Sequence, residues 1–308
     1  MPKQTFLLCK NNSFFGKAFF SKERFVMRFS GSLSEADKKE AWYEIIGVPF
    51  DGNACKKGAR EGSRAVRRAS QQLETFLWHE KLELSDLRYY DRGDVKLERF
   101  LAEESIEELD IAKKKIFIGG DHSISYLIVK YLFEHGRVAK VIAVDAHLDC
   151  RDSYKEKKFS NACVMRRIAE LIGFENVIEI GIRSSSADEY DFVEGKIKIY
   201  DAEMLREKGV EYVLNEIGGE EEKTYLSIDI DVLDPSIAPG VENPEPCGMS
   251  LESLISLIRG IIRKAEVAAS DVVEVNPRLD NANGITSISA ARIIFEILAG
   301  YSESDNRY

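Results

Sequence analysis

Six acidic and imidazole residues in three separate strings have the types and spacing that divalent metal ions require. The strings are IFIGGDHS (116–123), VIAVDAHLD (141–149) and YLSIDIDVLDP (225–235). The six residues are His122, Asp145, His147, Asp149, Asp229 and Asp231. Carboxylates dominate this set, which favours a hard ion such as Mn²⁺ over a structural zinc ion, whose sites need more Cys and His. We therefore predict that the six residues enclose a pair of divalent cations.

The apolar runs that precede these residues predict strands. Runs 141–144 and 225–228 are continuous rather than alternating, which is typical of a parallel sheet covered on both faces. Side chains at alternate positions of an extended segment point to one side, so Asp145, His147 and Asp149 are expected to leave one strand end together. Asp229 and Asp231 are expected to do the same. Ligands of open parallel sheets bind at the carboxyl ends of strands, so the strings should meet in one crevice.

Each string also has a purely structural interpretation, which for VIAVDAHLD is a solvated strand end. Gly119 and Gly120 fit an ordinary turn, and Asp121 fits a helix N-cap. Asp234 and Pro235, at the end of the third string, fit a turn. The occurrence of all three strings in one chain favours the metal site.

These strings, together with APGVENPEP (238–246) and DVVEVNP (271–277), resemble the ureohydrolases, the family of arginase, agmatinase and their relatives. The resemblance extends upstream to 45–67 and downstream to ITSISAARIIFEIL (285–298), so it covers the chain from about residue 43 to its end. The GVPFD and PGVENPEP segments look more like the agmatinase branch than like arginase. The resemblance implies a three-layer αβα domain with a central, mainly parallel sheet, as in arginases and deacetylases.

The resemblance also implies roles for individual residues. Glu274 would pair with the substrate guanidinium, while a hydroxide between two Mn²⁺ ions attacks the guanidinium carbon. Asp149 would hydrogen-bond that hydroxide and pass its proton to the leaving amine. The implied substrate is a small cation, agmatine, which would yield urea and putrescine in a step of polyamine biosynthesis. One ion would be held by His122, Asp145, Asp149 and Asp229, and the other by Asp145, His147, Asp229 and Asp231.

One position departs from the family pattern, and one loop bears on specificity. Many ureohydrolases have a proton-shuttle His where this chain has Asn161, and an amide cannot exchange a proton near neutral pH. We expect Asn161 or Ser160 to cap the following helix instead. In the loop after Asp149, Asp152 could attract the amine of agmatine and Arg151 a carboxylate, or the two could pair with each other on the surface.

Other functions remain open at this stage. Arginase activity, or hydrolysis of another guanidino or formimino compound, would use the same ligands. A deacetylase-type amide hydrolase would need one zinc and an Asp, His, Asp set. A metal-binding relative with weak or no catalysis would fit the exchange at Asn161.

Alternating strand and helix signals predict one α/β domain over 41–308, with 1–40 as an amino-terminal extension packed on it. Helices are expected near 162–172 and 202–218, and strands at 177–182, 197–200 and 271–275. Ser250 is placed to cap another helix.

The net charge of −10 argues against nucleic acid and anionic membranes as partners and suits a cationic substrate. Five cysteines without paired spacing indicate a reducing, cytoplasmic location. No apolar run approaches the roughly eighteen residues of a membrane span. Ureohydrolases commonly form trimers or hexamers, so a homo-oligomer is expected.

Overall fold

The computed structural model describes residues 27–96, 112–217 and 220–305. Within these ranges, eight strands form one sheet in the order β4-β1-β5-β10-β9-β6-β7-β8, and every neighbouring pair is parallel. A short antiparallel pair, β2-β3, lies outside it. The strands are β1 (Tyr43–Gly47), β2 (Phe76–Leu77), β3 (Leu82–Glu83), β4 (Tyr89–Asp94), β5 (Lys114–Ile118), β6 (Lys140–Val144), β7 (Val177–Ile182), β8 (Lys198–Asp201), β9 (Glu220–Asp229) and β10 (Ala265–Val273).

Helices cover both faces of this sheet, and two hydrophobic clusters separate the layers. One cluster contains residues of the helices Gly62–Ser70, Ala202–Lys208, Val210–Ile217, Leu251–Lys264 and Ile285–Ser304. The other contains residues of Ile124–Glu134, Val164–Ile172 and Ala187–Val193. The predicted three-layer αβα architecture is confirmed.

The predicted elements are present with some changes of boundary. The strand predicted at 177–182 matches β7, and Ser250 caps Leu251–Lys264 by accepting from the Ser253 N–H. The helix predicted over 202–218 is two helices, because Gly209 at φ 79° breaks it. β10 begins at Ala265, before the predicted start, and ends one residue before Glu274.

The helix Ile285–Ser304 is long and apolar enough to cross a membrane, contrary to the expectation that no segment would be. Its most apolar window is 83% buried inside the fold, however, so it packs as a core helix. Phe29, from the predicted extension, is buried and contacts Phe295 of this helix edge to face. Residues 1–26 of the predicted extension lie outside the described residues, and their packing stays a prediction.

The order of the central strands determines where the three strings meet. β5, β10, β9, β6 and β7 are consecutive neighbours, so their carboxyl ends form one edge of the sheet. The chain turns closely there: a Cβ atom on Gly120 would overlap the backbone of Phe50. The glycine pair after β5 therefore permits a close approach of backbones, as the predicted turn requires.

Candidate metal and guanidinium site

His122 and three carboxylates form the first part of the site. The Nδ1 atom of His122 lies 3.1 Å from Asp145 Oδ2, 3.2 Å from Asp149 Oδ2 and 3.4 Å from Asp229 Oδ2. His122 follows β5, Asp145 follows β6, and Asp229 ends β9. Residues from three strands thus converge on one ring nitrogen.

His147 forms the second part. Its Nδ1 atom lies 2.9 Å from Asp231 Oδ2 and 3.8 Å from Asp145 Oδ1. Its Nε2 atom lies 3.6 Å from Glu245 Oε1, and that same Glu245 oxygen accepts a hydrogen bond from Ser184 Oγ. Asp145 therefore stands between the two histidines, with one oxygen toward each.

A hydrogen-bonded chain behind His122 fixes which nitrogen faces the carboxylates. Ser227 Oγ donates to Asp271 Oδ1 at 2.8 Å, which uses its only proton. The hydroxyl must therefore accept from the Nε2–H of His122, 3.1 Å away. In the neutral ring, Nδ1 then carries the lone pair that points at the three carboxylates.

The crowding changes the proton affinities of the cluster. Burial, followed by the charge of Asp231, raises the pKa of Asp145 to about 7. The same two causes raise the pKa of Asp229 well above its ordinary value. Burial opposes the charged form of His147, but its hydrogen bond to Asp231 raises the pKa of that imidazole to about 10. Protons and divalent cations thus compete for the same atoms.

The donor set fits two divalent cations. Two groups, His122 with Asp145 and Asp149, and Asp145 with His147 and Asp231, each offer ligand atoms within 4.8 Å of one another. These two groups match the two predicted ligand sets, except that Asp229 belongs to neither group. Asp229 lies beside the first group. A lone pair that faces three carboxylate oxygens is repulsive unless a proton or a metal cation lies among them, and oxygen-rich sets suit hard ions.

The backbone that presents these groups differs from the predicted extended strand ends. β6 ends at Val144, and the residues that follow it are irregular, with Asp149 at φ 45°. After β9 a 3₁₀ turn, Ile230–Val232, begins at once, and the Asp231 N–H donates to Asp229 Oδ1. The side chains therefore converge through turns and local hydrogen bonds rather than through alternation along a strand.

Glu274 lies at the edge of a cavity of about 250 Å³ that also exposes Asp149, Asp229 and Asp231. Its Oε1 atom accepts from the His122 N–H at 2.8 Å, and its own N–H donates to the Gly120 carbonyl at 2.9 Å. Its Oε2 atom is buried and has no hydrogen-bond partner among the described residues. Burial and the nearby charge of Asp121 raise the pKa of Glu274 well above its ordinary value. A cation in the cavity would favour the ionised form.

Asn161 also lines this cavity, and the prediction that it or Ser160 caps a helix is wrong. Neither side chain makes a cap hydrogen bond, and Ser160 Oγ donates to Asn161 Oδ1 instead. The Asp149 carbonyl accepts from the Met165 N–H at 3.1 Å, in the first turn of Val164–Ile172. Asn161 Nδ2 donates to Glu274 Oε1 at 3.4 Å, so the amide contacts the predicted guanidinium partner.

The two residues proposed for specificity lie in different surroundings. Arg151 lines the cavity and pairs with Glu189 at 3.3 Å. Asp152 does not line it: its carboxylate is exposed and bonds Arg167 at 3.0 Å, with Arg166 at 3.4 Å. The predicted contact of Asp152 with substrate is therefore corrected, because the helix after the loop supplies two cations on the outer side. Arg151 and Asp152 form no pair in the described contacts.

Several site residues escaped the sequence reasoning. Ser227 and Asp271 are buried polar residues inside strands, and that exception to the apolar pattern was the available signal. Glu242 and Glu245 line the cavity from the irregular segment 238–246, where no periodicity marks them. Arg183 supports this segment by donating to backbone carbonyls, among them those of Pro246 and Glu245.

A cavity beside two adjacent groups of potential oxygen and imidazole ligands, at the carboxyl edge of a parallel sheet, is typical of metal-dependent hydrolases of the α/β class. The sequence model described as Arginase family matches residues 42–300. The chain belongs to the arginase family. The predicted resemblance is thus confirmed, and with it the class of enzyme, a hydrolase of guanidino C–N bonds.

Individual relatives agree with this assignment. The chain is 34% identical over 282 residues to an agmatinase of Pyrococcus horikoshii, covering 88% of this chain and 95% of that protein. It is 33% identical over 274 residues to a human mitochondrial guanidino acid hydrolase, covering 82% and 76%. The crystal structure of an agmatine ureohydrolase of Thermoplasma volcanium superposes with a TM-score of 0.82 at 27% identity, covering 92% of this chain and 96% of that one.

Proposed function

We propose that this chain uses two Mn²⁺ ions to hydrolyse agmatine to urea and putrescine. The observation that carries the proposal is the Oε2 atom of Glu274, a buried carboxylate oxygen that has no partner among the described residues and borders the cavity beside both ligand groups. A planar guanidinium offers the donors and the charge that this oxygen lacks.

The protein's own groups would hold and orient the substrate. Glu274 is anchored at both ends, by its backbone N–H to Gly120 and by its Oε1 to the His122 N–H. The remaining oxygen therefore has a fixed direction, and a guanidinium bonded to it is held with its carbon toward the ligand groups. The guanidinium carbon is a poor electrophile, and its reaction requires this fixed orientation.

The six predicted ligands would hold the two ions. When bound, the ions would supply a nucleophile at neutral pH by lowering the pKa of water. Asp149, at the edge of the cavity, would carry a proton to the departing amine. Asn161 cannot take part in that transfer, so we expect slower turnover than a shuttle His would allow.

Water adds to the guanidinium carbon and the bond from that carbon to the substituted nitrogen breaks. The products are neutral urea and a protonated primary amine, so no proton is gained or lost overall. Agmatine is chosen from the agmatinase-like segments and the acidic cavity. Arginine, 4-guanidinobutyrate and formiminoglutamate are the alternatives.

The test is product release by the Mn²⁺-loaded protein, measured as urea for the three guanidino compounds and as glutamate for formiminoglutamate. The expected result is urea from agmatine, two Mn²⁺ per chain, and loss of both in Asp145→Asn. Glu207 is exposed and lies outside the cavity, so Glu207→Gln should retain both urea release and the two Mn²⁺ per chain. Absence of product from all four compounds refutes the proposal and favours a non-catalytic metal-binding protein. A preference for arginine refutes the choice of agmatine alone.

The expected homo-oligomer and cytoplasmic location stay predictions, to be tested by light scattering and fractionation.

A further inference from the structure

The segment 238–246 forms one side of the cavity and is held rigidly. The Gly240 N–H donates to Thr286 Oγ1 at 2.8 Å, and the Gly240 carbonyl accepts from the Asn276 N–H at 2.7 Å. A Cβ atom at Gly240 would lie 2.8 Å from Asp280 Cβ, closer than real contacts allow. Glu242, two residues further on, therefore projects from a fixed backbone.

The Glu242 side chain is only 3% exposed and lines the cavity. Its Oε1 atom accepts from the backbone N–H groups of Cys55 at 2.7 Å and Lys56 at 3.0 Å. Its Oε2 atom is buried and has no hydrogen-bond partner in the described part of the chain. Glu274 is built in the same way, with one oxygen on a backbone N–H and the other unpartnered.

Nearby basic side chains are engaged elsewhere. Lys56 Nζ bonds the backbone carbonyl of Glu242, at 2.5 Å, rather than its carboxylate. Lys155 Nζ lies 3.0 Å from Cys55 Sγ, and Arg151 pairs with Glu189. A buried carboxylate oxygen without a donor is costly, so the missing donor is expected to arrive with a ligand.

We propose that Glu242 binds a second cationic group of the substrate, the ammonium at the end remote from the guanidinium. The inference rests on the proposed function and deepens it: the substrate class is a guanidino amine with two positive charges. Glu242 would then determine specificity, because a neutral tail leaves its oxygen unpaired and a carboxylate tail meets it with like charge.

The first test needs no variant. Agmatine, n-butylguanidine and 4-guanidinobutyrate share the guanidinium and differ in the charge at the remote end of the tail. A charge-assisted hydrogen bond predicts that kcat/KM for agmatine exceeds that for n-butylguanidine by roughly tenfold to a hundredfold, mainly through KM. Equal values for the two compounds, or a preference for 4-guanidinobutyrate, overturn the inference.

The second test is Glu242→Gln, which keeps an oxygen for the Cys55 and Lys56 N–H groups while removing the charge. We expect the preference for agmatine to disappear with kcat/KM for n-butylguanidine unchanged, and Glu207→Gln to behave like the wild type. Unchanged metal content and thermal midpoint show that the fold is intact. Two outcomes overturn the role of Glu242: an equal loss of activity on both compounds, or no loss of activity on either. Both outcomes leave the proposed function standing.

Binding measured by calorimetry further separates the role of Glu242 from the proposed function. The wild type should bind 1,4-diaminobutane more tightly than n-butylamine, and Glu242→Gln should bind the two alike. If no guanidino compound is hydrolysed, the proposed function fails, and this measurement still decides the role of Glu242. Equal binding of the two amines by the wild type overturns it.

Discussion

Replacing Ser227 by alanine should weaken metal binding although the hydroxyl is not a predicted metal ligand. Ser227 Oγ accepts from His122 Nε2 at 3.1 Å and donates to Asp271 Oδ1 at 2.8 Å. Without it, the buried Nε2–H loses its acceptor, and nothing holds the Nδ1 lone pair toward the carboxylates. The proton can then move to Nδ1, which abolishes the ligand.

Ser125→Ala is a matched control. Ser125 Oγ also donates to Asp271, at 2.5 Å from Oδ2, but in the described contacts this hydroxyl does not bond the His122 imidazole; only the Ser125 backbone N–H reaches His122, at its carbonyl. Each variant loses a hydrogen bond to a buried carboxylate, which is worth about 1.5–3 kcal/mol. Ser227→Ala additionally leaves the imidazole N–H unpaired, at a further cost of about 1–3 kcal/mol. Loss of a residue that orients a ligand lowers metal affinity by roughly 10–100-fold.

Two measurements check this reasoning. Urea denaturation of the chelator-treated variants gives the free energy of unfolding, and competition with a fluorescent chelator gives the Mn²⁺ affinity. We expect Ser227→Ala to be the less stable variant and the only one of the two with weakened Mn²⁺ binding. Equal Mn²⁺ affinities in the two variants would refute the assignment of Ser227 as the group that fixes the His122 tautomer.

Three further predictions concern the cluster and the cavity. Asn161→His should raise turnover roughly tenfold or more, because a positioned general acid is worth about 10²–10⁴-fold, with metal content unchanged; no gain, or lost metal, contradicts this. Glu274→Gln should lower kcat/KM for agmatine by roughly a hundredfold with Mn²⁺ retained, because only the charge-assisted bond to the guanidinium is lost; near-normal urea release would exclude Glu274 as the guanidinium partner. The pKa of His147 is raised from 6.5 to about 10, so its stabilisation of the metal-free protein is complete below pH 6.5 and lost as pH rises to about 10. Urea denaturation across that interval should show a falling free energy of unfolding, with a shallower slope in His147→Gln; parallel slopes would be inconsistent with this account.

The sequence predicted that the acidic and imidazole residues would meet at one edge of the sheet, because the strings that contain them begin with apolar runs. Runs of this kind predict buried parallel strands, and the carboxyl ends of such strands meet at one edge. The structure brings together His122, Asp145, His147 and Asp231 in the predicted crevice. No knowledge of loop conformation was needed for that conclusion.

The contacts of the loops could not be predicted in the same way. Asp152 is paired by Arg166 and Arg167, and which side of the loop faces that helix depends on the path of the chain after Asp149. Glu242 lies in a segment without helical or strand periodicity, so its direction is fixed only by contacts with residues distant in sequence, such as Cys55. Long-range hydrogen bonds of this kind leave no local pattern.

The backbone at Asp149 and Glu274 shows why strand geometry alone does not build the site. Their φ angles are 45° and 63°, in the left-handed region that costs a residue other than glycine of order 1–3 kcal/mol. Each is held there by hydrogen bonds: the Asp149 carbonyl accepts from the Met165 N–H, and the Glu274 N–H donates to the Gly120 carbonyl. Glycine would relieve the strain at either position but would remove the carboxylate. The fold therefore retains two strained acids beyond the ends of β6 and β10, and each contributes a carboxylate to the lining of the cavity.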